Sequence, residues 1–172
     1  MRPVILVGSG LILGLIISSI LGPLFFPPQI STVFSPEDGQ QILNFINSAQ
    51  KSIDIEVYTF SSRDVVDALM DAKSRGVVIK IILEKHVIGG ENDQIYHELL
   101  AKGFNVKWAS STFKLTHAKF IIVDGQAVLV GSHNLSNSAL FKNREASVII
   151  RESKTLQSFI DIFDNDWGLS FS

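Results

Sequence analysis

The sequence predicts an α/β domain on a mixed β-sheet, preceded by one N-terminal transmembrane helix. Three observations carry this. An uncharged apolar run fills residues 4–26. Strand-like and helix-like segments then alternate up to about residue 102, as in βαβ units. The stretch from Phe104 to Arg151 is rich in strands, with a hairpin signal at its centre. The chain has 172 residues, and removing the apolar run leaves one domain of ordinary size, able to bury a core.

The run Val4–Phe26 is long enough to cross the roughly 30 Å hydrocarbon core of a bilayer. A helix apolar on every face is unusual inside so small a protein. A cleaved signal peptide is the main alternative. The end of the run lacks alanine and is crowded by Pro23 and the Pro27-Pro28 pair, a poor cleavage site. The expectation is an uncleaved anchor over 1–28 and a domain over 29–172. Arg2 precedes the span, and Glu37 and Asp38 are the first charges after it. Positive charge stays inside, which puts the domain on the extracytoplasmic side of a single-pass protein. Gly10, Gly14, Ser18 and Gly22 recur every fourth residue and would let a second such helix approach closely.

Pro27-Pro28 reads as the start of a linker. Ser35-Pro36-Glu37-Asp38 reads as a helix start, with a serine cap and proline at the first helical position. That helix runs to about Lys51, with Ile42, Phe45, Ile46 and Ala49 on one face. Ile53–Phe60 alternates as a strand. Ser61 and Asp64 open a second helix through Ser74, stopped at Gly76. Val77–Leu83 is a β-branched run suited to a strand buried on both faces. A third helix fits Asp93–Lys102. Strands follow at Phe104–Ala109, Thr116–Val123, Ala127–Gly131 and Ala146–Arg151, and Ser153 caps a last helix through Phe163.

Composition excludes several chemistries. Cysteine is absent, which removes disulfides, thiol catalysis and cysteine–zinc sites. The formal net charge is −2, so a polyanion would need a local basic patch. His86, His97 and His133 have no metal-ligand spacing.

The informative stretch is residues 116–134. Asp124-Gly125 between apolar runs marks a tight hairpin turn. With a two-residue loop, Val123 pairs with Gln126, Lys119 with Val130 and His117 with Ser132. Alternation then places His117, Lys119, Ser132 and Asn134 on one face and turns His133 away; an extra loop residue would break that parity unless a bulge restored it. Imidazole can act as nucleophile or acid/base near neutral pH. Lysine, serine and asparagine can clamp phosphoryl oxygens. Asp124, at the turn, reads as structural.

The spacing H-x-K-x4-D-x6-G-S-x-N, filled by His117, Lys119, Asp124, Gly131, Ser132 and Asn134, resembles the phospholipase D superfamily. The single copy, the small size and the leading apolar segment look like its one-motif members, the bacterial endonucleases and the mitochondrial-surface nuclease/cardiolipin hydrolase branch. The cysteine/histidine zinc insert of some mitochondrial members is missing. The resemblance implies a phospholipase D-like α/β sandwich over roughly 35–170 and a phosphodiesterase needing no metal or cofactor. Asn143-Arg144-Glu145 looks like the family's downstream acidic position, which would make Glu145 the orienter of a histidine. The family mechanism needs two histidines, one nucleophile and one acid. A chain with one motif would therefore work as a homodimer, each copy giving one His117.

Three readings of substrate follow. A nuclease would use Lys107, Lys114, Lys142 and Arg144 along DNA or RNA. A phospholipase would exploit the anchor and anionic headgroups, with Leu140-Phe141 available to rest at an interface. A non-catalytic anion-binding module would have no need of His117 beside Lys119.

Overall fold

A computed structural model describes residues 29–87 and 91–172. The anchor read over 4–26 lies outside the described residues. Among those described, no helix is long and apolar enough to cross a membrane. Seven strands form one sheet: β1 (Ile30–Ser35), β2 (Ser52–Val57), β3 (Val78–Leu83), β4 (Asn105–Trp108), β5 (Lys119–Val123), β6 (Ala127–Gly131) and β7 (Glu145–Ile150). Their order is β1-β7-β6-β5-β2-β3-β4. The sheet is mixed as expected: β2, β3 and β4 run parallel, while the β2–β5, β5–β6, β6–β7 and β7–β1 pairs are antiparallel.

Helices cover both faces. Ile53, Ile55, Ile81, Ile121 and Leu129 point to a core shared with α1 (Gly39–Asn47), α2 (Arg63–Ser74), α3 (Glu91–Ala101) and α4 (Asn137–Phe141). Ile82, Phe120, Ile122 and Val128 point the other way, against Leu156 and Phe163 of α5 (Ser153–Leu169). Strand residues of opposite parity thus feed two cores, which is why Ile81–Leu83 of β3 and Phe120–Val123 of β5 read as continuous apolar runs.

Three expectations need correction. The segment read as linker contains β1, an edge strand paired with β7 along its whole length. Ser35 therefore does not cap a helix. Its Oγ donates to the Asn143 carbonyl (2.9 Å) and accepts from the Glu145 amide (3.3 Å), and α1 begins at Gly39 instead, with Asp38 at the N-cap position. The last helix continues to Leu169, because Phe163 is fully buried and Trp167 stacks on it. Its cap is Glu152, whose carboxylate accepts from the amides of Lys154 and Thr155. Leu140 belongs to the short helix α4 and is completely buried, so it is not free to rest at an interface.

Candidate active site

The β5–β6 turn is the tight one expected. Asp124 and Gly125 have φ of 57° and 61°, the positive values a primed turn requires, and the Gln126 amide donates to the Val123 carbonyl (2.9 Å). The ladder beyond it, however, pairs Val123 with Ala127 and Phe120 with Val130. Gln126 is an inserted residue, a bulge, and it moves the register by one. Lys119 therefore comes level with Gly131 rather than Val130. The single-face argument for Ser132 and Asn134 fails at this step, and they reach the site by another route.

Gly131 lets that route exist. It pairs with Ser147, and a Cβ on it would stand 2.3 Å from both the Ala146 carbonyl oxygen and Ser147 Oγ. Its bareness lets β6 close on β7 and then turn. Past it, the Ser132 amide donates to the Ala146 carbonyl. Ser132 Oγ donates to Glu145 Oε2 at 2.5 Å and accepts from the Ala146 amide at 3.0 Å. The chain then crosses to the end of β2: the Leu135 amide donates to the Thr59 carbonyl, and the Leu135 carbonyl accepts from Ser61 and Ser62. Asn134 Oδ1 accepts from the Thr59 amide (3.2 Å).

These connections gather the predicted residues at one end of the sheet. His117 lies just before β5 rather than in it, and is exposed. Lys119 Nζ sits 3.2 Å from its Nδ1 and 3.4 Å from its Nε2, and donates to its carbonyl (2.9 Å). Lys119 is largely buried, and burial pulls its pKa below the ordinary lysine value while the Glu145 charge opposes that shift. Its Nζ is held close against the imidazole as a compact donor. Glu145 is held by Ser132 and by Asn143 Nδ2 (3.2 Å); within one chain its partners are these, not a histidine ring.

Asp124 sits at the far end of β5. Its carboxylate accepts from the amides of Gln50 (3.0 Å), Lys51 (2.7 Å) and Ser52 (3.0 Å), tying the hairpin turn to the start of β2. Burial raises its pKa, but those amides and the Lys51 charge outweigh that and leave it below the usual aspartate value. The partners are 72 to 74 residues away, not local to the turn. His133 is buried with Nδ1 2.7 Å from Ser147 Oγ, and burial lowers its pKa. His86 and His97 are exposed.

The basic residues separate. Arg144 is held by Glu37 through two hydrogen bonds (2.7 and 3.0 Å). Lys107 donates to the Trp167 carbonyl and lies over the Trp167 ring, on the α5 face. Lys114 and Lys142 are exposed. The residue sequence reasoning missed is Tyr58. Its ring lies 4.5 Å from the His117 ring, with Lys119 Nζ 5.3 Å from its centroid. Only its place one step past β2 could have pointed to it.

A histidine against a buried lysine, with a serine–glutamate pair and an asparagine, thus stands around one sheet end. Residues 42–167 match the family described as cardiolipin synthase, PLD-like domain. The chain belongs to the phospholipase D-like family. It is similar to the mitochondrial cardiolipin hydrolase of Chlamydomonas reinhardtii, 28% identical over 78% of this chain and 60% of that one. It is also similar to a phospholipase D of Rickettsia conorii, 30% identical over 77% of this chain and 66% of that one. The chain thus spans about two thirds or less of the length of these curated relatives. In structure it is similar to Nuc of Salmonella typhimurium, a phospholipase D family member. The TM-score is 0.75 and the identity 31%, covering 82% of this chain and 95% of that one.

Proposed function

We propose that this protein is a phosphodiesterase that cleaves nucleic acid through a phosphohistidine, at a site shared by two copies of the chain. The observation carrying the reading is His117 exposed at the sheet end with Lys119 Nζ against its ring. An imidazole nitrogen attacks phosphorus and forms a P–N bond as the P–O bond to the leaving oxygen breaks. The second copy's His117 gives its proton to that oxygen. It then takes a proton from water as the water oxygen attacks phosphorus and the P–N bond breaks. Lys119, Ser132 and Asn134 hold the non-bridging oxygens, and Glu145 supports the charge on Lys119 and orients an imidazole. Homodimerisation rests on the single motif and on the small-residue repeat of the N-terminal run, the anchor expected at residues 4–26. The likeness to Nuc, 31% identical with a TM-score of 0.75, supports the endonuclease-like reading.

A second reading, hydrolysis of an anionic phospholipid, has one observation in its favour. A groove of about 410 Å³ opens beside His117 and Lys119 and runs along α5 past Ala118, Phe120, Val130, Phe159 and Ile162. Such walls suit an acyl chain.

The test offers the full-length protein, in mild detergent with excess EDTA, single-stranded DNA, duplex DNA, RNA and cardiolipin liposomes, with His117→Ala as control. Cleavage of nucleic acid that survives EDTA and disappears in His117→Ala is the expected result. Turnover of lipid alone would replace the nuclease reading by the second one. Binding without turnover of any substrate would overturn both.

A further inference from the structure

A second pocket lies beside the catalytic end and is used by none of the chemistry above. It measures about 240 Å³ and is formed where the segment after β3 meets the loop between β4 and β5. Lys85, His86 and Lys114 stand around it, all exposed. None of the three forms an ion pair among the described residues. Two aromatic rings complete the walls, Phe113, 47% exposed, and Phe171. Lys85 Nζ is 5.6 Å from the Phe171 centroid. The pocket also contains one acid, Glu84, but both its oxygens are occupied. Oε1 accepts from the His86 amide and Oε2 from the Thr116 amide, each at 2.7 Å. Its charge is thereby answered within the fold, and the pocket's outward character is cationic and aromatic.

The same Glu84–Thr116 bond ties the pocket to the active site, because His117 is the next residue. Lys114 is three residues from His117, at most about 11 Å of extended chain. Cations beside an exposed ring, within a nucleotide's reach of the scissile position, match how proteins hold unpaired strands. Cations take the phosphate, and a base lies on the aromatic face. A base can enter a recess of this size only when released from its complement.

We infer that the pocket of Lys85, His86, Phe113 and Lys114 binds a nucleotide flanking the cleaved phosphodiester and directs the protein to single-stranded nucleic acid. This rests on the nuclease reading. A lipid surface is the competing occupant. The concave shape, with polar Ser111 in the lining, favours a nucleotide over a bilayer.

The experiment uses the full-length chain carrying His117→Ala, so that a fluorescent oligothymidylate is bound without being cut, and reads anisotropy against salt. Phe113→Ala should weaken binding about 5-fold or more, the loss of one base–ring stack. Lys85→Met keeps the stem over the rings, and should lower the slope of log affinity against log salt by about 0.7. With His117 restored, each change should reduce kcat/KM on the oligonucleotide at least five times more than on bis(p-nitrophenyl) phosphate, which fills the reacting centre alone. Affinity and salt slope matching the parent, in a protein that does cut the strand, would overturn the pocket and leave the nuclease reading standing. A parent that neither binds nor cuts the strand would overturn both. Loss of anionic-vesicle binding in the variants, with strand affinity unchanged, would reassign the surface to a membrane.

Discussion

Replacing Glu56 by glutamine should change how the stability of this domain depends on pH. Glu56 lies on β2, two residues before Tyr58, and points to the α5 side of the sheet. It is 3% exposed, and its Oε2 has no hydrogen-bond partner. Burial, with the Asp166 charge adding to it, pushes its pKa from 4.5 to about 7. Its surroundings do little to relieve it. Asp54, on the same face, is itself raised by burial and by Asp164, against the pull of Lys80. Lys107 is engaged with Trp167. A carboxyl raised in the folded state favours folding fully below its unfolded pKa, and that support is lost as pH climbs through 7. At 1.36 kcal/mol per unit, the loss approaches about 3 kcal/mol above pH 8. Glutamine never ionises, but its amide also lacks a partner at that spot, a cost of about 1 kcal/mol at every pH. Glu56→Gln should therefore be about 2 kcal/mol more stable than the parent at pH 8 and slightly less stable at pH 4.5. Urea titration of the full-length protein from pH 4.5 to 8.5, followed by the fluorescence of Trp108 and Trp167, measures this. Parallel stability curves for parent and variant would show that Glu56 carries no penalty for its charge, and the reasoning would fall.

Three other outcomes follow from the same contacts. Gly131→Ala drives a methyl into the Ala146 carbonyl and Ser147, and should cost about 3 kcal/mol, read as a lowered thermal midpoint together with loss of activity. Asp124→Ala removes the acceptor of three amides and should cost about 2 kcal/mol, the low side for charge-assisted bonds because the turn is partly open to water. Its folded pKa is depressed, so this support is present above about pH 4 and vanishes as pH falls through the folded value. Turnover of bis(p-nitrophenyl) phosphate at pH 7 should stay within two-fold, since Asp124 is remote from His117. Finally, mixing equal amounts of parent and His117→Ala under subunit exchange should give about one quarter of the activity of the same total amount of parent protein if each site needs both histidines; one half would show that a single chain suffices.

The mixed sheet between helical layers was legible, and the burial of acids on β2 was not. Val77–Leu83 announced burial on both faces, and Ile79, Ile81 and Leu83 on one face are buried, whereas on the other Ile82 is buried, Lys80 partly so and Val78 exposed. Ile53–Phe60 looked like a strand with one polar face, because Asp54 and Glu56 interrupt it. In the fold α5 covers that face, burying Glu56 and half-burying Asp54. Nothing local in β2 encodes the arrival of a helix about a hundred residues later, and charged residues are the ones whose burial a periodicity argument is least able to foresee. The same limit hid β1. Ile30–Ser35 follows a proline pair and has no period of its own, and it becomes a strand because β7 offers it an unpaired edge.

The active site shows where sequence spacing succeeds and where it stops. The spacing H-x-K-x4-D-x6-G-S-x-N names His117, Lys119, Ser132 and Asn134, which the fold does bring to one sheet end, yet a two-residue turn would have set Ser132 opposite His117, one register out. The bulge at Gln126 moves the ladder, and Gly131 then allows the chain to leave it. Ser132 is instead fixed by Glu145 and Ala146, and Asn134 by the Thr59 amide beside Tyr58. The spacing between Asp124 and Gly131 is therefore not a statement about one flat hairpin. It measures the chain needed to anchor one end on the Gln50–Ser52 amides, bulge once, and bring a glycine against Ser147 so that the next residues cross to β2. Each motif residue with no chemistry of its own has a mechanical reason to be where it is: Asp124 pins the turn, and Gly131 opens the crossing. Tyr58, which touches His117 directly, lies outside the motif because its position follows from β2 pairing with β5, a contact between segments that no short spacing can record.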